Sequence, residues 1–240
     1  MTNSLRARDI AAEIASPAAL VLVLSLRVQR ELTLTDLYPL KAVTLMAIVL
    51  LFVVAGVRGH HPFARFGMAN LITTLRAAIV VMVASLIGEP QQSICAASAA
   101  AASLVVTALD GVDGWLARRT GMQSRFGARF DMEVDGLLIL ALAILVSEYG
   151  KAGRWVVLSG LMRYLFVAAG WLAPWLRRPL PPSQRRQTIC VVQIVALTLA
   201  IVPAITPPFS QLLAAGALLT LSYSFLVDTA WLWRSRVAGD

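Results

Sequence analysis

The chain has 240 residues, 58% of them hydrophobic and only 14% charged, with 21 Lys+Arg against 13 Asp+Glu for a net charge of +8. Soluble domains run at roughly 45–50% apolar and about 25% charged, so this composition excludes a soluble globule. Two cysteines exclude a disulfide framework. The basic residues sit in short loops between apolar runs, where they orient membrane helices and imply no nucleic-acid partner.

A spanning helix needs about 20 mostly apolar residues, because backbone N–H and C=O groups cannot stay unpaired in hydrocarbon. Runs of this kind occupy residues 10–26, 37–57, 68–87, 94–117, 130–147, 155–173, 188–204 and 211–233. They predict an all-α polytopic membrane protein. The first run is short and holds Glu13 and Pro17; an interfacial amphipathic helix or a signal peptide behind Arg6 and Arg8 are the alternatives. It counts as a span because Arg27 follows it directly and no small-x-small cleavage site ends it.

Eight spans with both termini in the cytoplasm place every Arg-rich segment inside, as the positive-inside rule expects. These segments carry Arg6 and Arg8, Arg58 and Arg65, Arg118, Arg119, Arg125 and Arg129, Arg177, Arg178, Arg185 and Arg186, and Arg234 and Arg236. Loops 88–93 and 206–210 carry no Lys or Arg. Without the first span, Arg6, Arg8, Arg27 and Arg30 would fall outside. Cys95 and Cys190 lie at opposite faces in this topology and are expected to be unbonded small apolar residues.

Charged side chains inside a membrane cost several kcal/mol each and need a reason. Asp110 and Asp113 end the fourth span, and Asp131 and Asp135 begin the fifth. Spacings of three and four put each pair on one helix face, and the short loop between the spans makes them antiparallel neighbours. At 1.5 Å rise per residue, Asp110 lies about 10 Å inside the end marked by Ala117 and Asp135 about 12 Å beyond Gly127, which puts the four carboxylates near one depth. They cannot all be ionised together unless cations sit among them. Hard oxygen ligands without His or Cys suit Mg²⁺ or Mn²⁺, and two such ions neutralise four negative charges, a layout used for phosphoryl displacement. Gly114, Ala117 and Gly127 leave space on the acidic faces, although small residues also serve tight helix packing. Arg118 is placed to pair with phosphate oxygens.

The run Asp110-Gly111-Val112-Asp113-Gly114-Trp115-Leu116-Ala117-Arg118, then Gly127, Asp131 and Asp135 at intervals of nine, four and four, resembles the signature of the CDP-alcohol phosphatidyltransferases without a gap. Asn70-Leu71-Ile72-Thr73-Thr74-Leu75-Arg76 is similar to that family's first core helix. The resemblance implies a six-helix core over residues 67–240, preceded by two extra membrane helices in residues 1–66 whose role it leaves open. It implies transfer of a phosphatidyl group from a CDP-linked lipid donor to a small alcohol acceptor, with release of CMP. It further implies two divalent ions held by Asp110, Asp113, Asp131 and Asp135, with Asp135 as general base, and Gly114, Ala117, Arg118 and Gly127 lining the nucleotide site. Family relatives are often dimeric, so a homodimer is an expectation. The active site is expected to face the cytoplasm, in a bacterial inner membrane.

Arg163 falls mid-span and Arg76 about 12 Å into its own. Each is either a ligand for an acidic acceptor or the structural partner of an aspartate. Arg185 and Arg186 either close an acceptor pocket or serve orientation and headgroup contact. Asp228 is expected to pair with an arginine, and Glu133 to play a structural part off the acidic face. His60 and His61 make a weak metal site, and the six Trp suit interfacial anchoring. Gly136-Leu137-Leu138 after Asp135 holds no basic residue, so the resemblance does not single out a phosphatidylglycerophosphate-forming subgroup. A cation or proton transporter is the competing function, but no acidic residues continue toward the outer face and no internal repeat is visible. A catalytically silent scaffold is disfavoured by the complete set of aspartates.

Overall fold

The computed structural model describes residues 7–60, 68–120 and 124–237. Among these residues there are eight α-helices, α1 (Ala7–Glu31), α2 (Leu37–His60), α3 (Met68–Ala84), α4 (Ser93–Thr120), α5 (Arg125–Glu148), α6 (Val157–Leu172), α7 (Gln184–Ile201) and α8 (Phe209–Val237), and no strand. Each expected span has its helix. Four are long and apolar enough to cross a membrane by length and composition alone, namely Leu37–Ala55, Ser93–Val112, Arg154–Leu172 and Phe209–Arg236, and Asn70–Ala84 is a shorter apolar helix. The other three carry charge inside their bounds: Asp9 and Glu13 in α1, Asp131, Glu133 and Asp135 in α5, Arg185 and Arg186 in α7.

The helices outrun the apolar runs at their polar ends. α4 continues to Thr120 and α5 starts at Arg125, five residues before the hydropathy signal. Ser124 explains that start: its Oγ accepts the Gly127 N–H at 2.9 Å, an N-cap that satisfies one of the orphan donors of the first turn. Both aspartate pairs therefore lie within regular helix.

The chain divides into two compact units, Met1–Leu138 and Ile139–Asp240. In the first, α1 and α2 form an antiparallel hairpin against α3, burying Val21, Ala42, Met46, Ala78 and Val81 together. α4 packs along α3, an approach that the Ala-rich stretch from Ala96 to Ala102 permits. Phe52 of α2 and Phe126 of α5 both pack on Phe130, with ring centroids 6.4 and 5.8 Å away.

One polar latch ties this unit's helix ends together. Glu89, 6% exposed, accepts from Thr35 N–H at 2.8 Å, the Thr35 hydroxyl at 2.9 Å and the Lys41 ammonium at 2.5 Å. Lys41 also donates to the Ser85 and Ile87 carbonyls, left open where α3 ends.

In the second unit α7 and α8 pair along their lengths, and α6 approaches the last part of α5 closely. A Cβ on Gly160 would lie 2.4 Å from Leu140 Cα, so only glycine allows that spacing. Lys151 caps the end of α7 through the carbonyls of Val202, Pro203 and Ile205, and Ser210 Oγ donates to the Lys151 carbonyl. Gly150, at φ +64, provides the left-handed turn that ends α5.

Candidate active site

Three helices of the first unit build the site. α4 supplies Asp110, and α5 supplies Asp131 and Asp135 one turn apart. One carboxylate oxygen from each lies within 4.8 Å of the others. α3 supplies Arg76, whose Nη2 pairs with Asp110 Oδ1 at 2.8 Å and Asp135 Oδ1 at 2.6 Å, while Nη1 pairs with Asp131 Oδ1 at 2.5 Å. Of the two roles that the sequence leaves open for Arg76, the aspartate pairing is present.

The cluster has depth. The Arg76 side chain is fully buried, whereas the carboxylates keep 17% (Asp135), 33% (Asp110) and 37% (Asp131) of their side-chain exposure. The cation thus lies behind the acids, and the acids open outward. Three carboxylates and one guanidinium still leave a net charge of about −2 in a low-dielectric setting. That excess, carried by convergent oxygens with no His or Cys in the group, fits a divalent hard cation.

Asp113, Gly114, Ala117 and Arg118 lie within α4, but their side chains fall outside the described residues. Gly127 is in α5, and a Cβ there would meet Asn70 Oδ1 at 2.9 Å and Ser124 Oγ at 3.2 Å. The space that sequence reasoning assigned to a ligand beside Gly127 is therefore taken up in part by Asn70. Asn70, Thr73 and Thr74 are all buried on α3, and motif spacing alone assigns them no separate role. Their signal was available, since polar residues at positions 70, 73 and 76 of an apolar helix form one drifting stripe.

Arg163 and Arg185 belong to the second unit. Arg163 is half-buried in α6. Arg185 donates to the Ser224 carbonyl at 3.0 Å and pairs with Asp228 at 2.5 Å, which Arg186 also reaches at 3.3 Å. The expected arginine partner of Asp228 is thus present twice over. Cys95 and Cys190 are not in a disulfide.

Comparison with known proteins matches residues 66–227 to the CDP-alcohol phosphatidyltransferase family. The chain belongs to this family. It is 33% identical over 178 residues to a CDP-diacylglycerol–glycerol-3-phosphate 3-phosphatidyltransferase from Pseudomonas fluorescens, covering 68% of this chain and 89% of that relative. It is also 33% identical over 159 residues to a probable phosphatidylglycerophosphate synthase from Mycobacterium tuberculosis, covering 64% of this chain and 76% of the relative. No solved structure matches it. The protein is therefore a multi-pass membrane transferase of phospholipid synthesis, acting on a CDP-linked lipid and an alcohol acceptor. Family membership sets aside the transporter. The family uses divalent metal, and Asp110, Asp131 and Asp135 are a ligand set of the right chemistry.

Proposed function

We propose that this transferase makes phosphatidylglycerophosphate, moving the phosphatidyl group of CDP-diacylglycerol to glycerol 3-phosphate with two Mg²⁺ or Mn²⁺ ions. The single observation that carries the catalytic reading is the convergence of Asp110, Asp131 and Asp135 oxygens within 4.8 Å. The acceptor rests on the names of the relatives at 33% identity.

Residues 67–240 form the transferase domain in this reading and residues 1–66 an N-terminal pair of membrane helices. Asp110, Asp113, Asp131 and Asp135 hold the ions, which when bound supply positive charge against the donor's pyrophosphate. Gly114, Ala117, Arg118 and Gly127 line the nucleotide side. Asp135 accepts the proton of the acceptor hydroxyl as that oxygen bonds to the donor's lipid-bearing phosphorus. The bond from this phosphorus to the bridging oxygen breaks, and CMP leaves with the electron pair. Arg163, and more weakly Arg185, are the residues proposed to bind the acceptor's phosphate. The Arg-rich segments around the α4–α5 turn support a site opening to the cytoplasm, and the bacterial relatives support an inner-membrane location. The family resemblance supports a homodimer.

The test is release of CMP by the purified full chain given CDP-diacylglycerol and a panel of acceptors. Glycerol 3-phosphate should be used in preference to serine, inositol, inositol phosphate and choline. Preference for any other acceptor overturns the assignment.

A further inference from the structure

We infer that Arg76 is the positioning residue of the metal centre: one guanidinium ties together one oxygen of each of Asp110, Asp131 and Asp135 and so sets the arrangement of acids that a cation meets. The inference rests on the metal-dependent reading above and adds to it a residue from a third helix.

Three observations carry it. One guanidinium reaches an oxygen of each of the three acids, at 2.8, 2.5 and 2.6 Å. The guanidinium is fully buried behind carboxylates that remain partly exposed, so a cation can enter from the open side without displacing it. The mount is also rigid. At about 100° per residue, Ala78 and Val81 lie about 200° and 140° around α3 from Arg76, and both are buried against Val21, Ala42 and Met46 of the α1–α2 hairpin. One face of α3 is thus held by the N-terminal helices while the opposite face holds the acids. This gives the two extra helices a part in the chemistry, as the backing of the residue that shapes the site.

A guanidinium is suited to this task because its donors form a fixed planar fork that can serve several carboxylates at once. An ammonium on a flexible stem presents a point charge instead. Outer partners of metal ligands typically contribute 10–100-fold in metal affinity. The sign of the effect separates positioning from charge balance. Simple Coulomb repulsion says that removing a cation beside a cation site tightens metal binding, whereas loss of positioning loosens it.

The experiment is a Mn²⁺ titration, read by electron paramagnetic resonance, of the purified full chain in detergent without nucleotide. Arg76→Lys keeps the charge and loses the fork; it should bind Mn²⁺ about 10–100-fold more weakly than the wild type, and Arg76→Gln should also be weaker. Wild-type affinity in Arg76→Lys, or tighter binding in Arg76→Gln, overturns the inference and leaves the metal reading standing. Failure of the wild type to bind Mn²⁺ overturns both. Should the variants not fold, a structure of the Mn²⁺-loaded wild type decides the same point. Arg76 is expected to stay within ion-pair distance of Asp131 and Asp135, and its departure from them contradicts the inference.

Discussion

Arg76 on α3 and Asp135 on α5, 59 residues apart in sequence, meet at 2.6 Å between Nη2 and Oδ1. The proposed base is therefore held in place before any substrate arrives. Its aim is set by a neighbouring helix, and its own short side chain does not have to find it.

Replacing that carboxylate by its amide keeps its shape and removes its capacity to take a proton. Asp135→Asn should lower CMP release about 10²–10⁴-fold, the range typical of a general base. Asp113→Asn, which removes a proposed ligand, should abolish turnover as well. Thermal melting in detergent should show both variants folded. Retention of more than a tenth of wild-type turnover (roughly, on that scale) in Asp135→Asn removes it from the mechanism.

Two glycines should tolerate a methyl group unequally. At Gly160 the added Cβ meets Leu140 backbone at 2.4 Å, and α6 or α5 must move; at Gly127 it meets the Asn70 carboxamide at 2.9 Å. Overpacking of this kind costs about 1–3 kcal/mol, with Gly160→Ala expected at the upper end and Gly127→Ala at the lower. Shortening Asn70 should relieve the second, so Gly127→Ala with Asn70→Ala should be less destabilised than the two single changes summed. Additive melting shifts show that the two residues are not in contact.

The helices and the acidic pairs were legible because both leave periodic marks. Apolar runs of the right length marked eight helices, four of them long and apolar enough to cross a membrane, and intervals of three and four grouped Asp110 with Asp113 and Asp131 with Asp135. The family resemblance was equally plain in those residues and survives comparison with relatives. Helix ends were not legible to hydropathy, because α5 gains its first turn from the Ser124 cap on polar residues. Nor was the choice between two roles for Arg76, since only tertiary packing brings α3 within reach of α4 and α5. Gly127 shows the same limit: a missing side chain reads as space, and the fold had filled part of it with Asn70.

The latch at Glu89 makes a prediction about acid. Burial alone raises the proton affinity of this carboxyl, but the Lys41 hydrogen bond and the Thr35 N–H and hydroxyl outweigh it, leaving the group below the ordinary carboxylate value. A depressed value means the stabilisation is complete above the unfolded carboxylate pKa of about 4.3. It is lost as pH falls through the lower folded value. Melting temperatures followed from neutral pH into acid should therefore fall less steeply for Glu89→Gln than for the wild type, from a lower starting point. Parallel curves show that the latch contributes nothing to stability.

Arg163 and Arg185 should separate by kinetics. Arg185 already serves Asp228 and the Ser224 carbonyl, so Arg185→Gln should lower the melting temperature more than it alters acceptor use. Arg163→Gln should raise KM for glycerol 3-phosphate about tenfold, the scale of one charged hydrogen bond, with kcat less affected. An unchanged KM removes Arg163 from the acceptor site.

The most direct measurement is CMP release from CDP-diacylglycerol and glycerol 3-phosphate by the full chain, first stripped with a chelator and then titrated with Mg²⁺ or Mn²⁺. Turnover should be absent after stripping, return with added divalent ion, and fail to return in Asp131→Asn at the same concentrations. Undiminished turnover in the stripped enzyme contradicts the account.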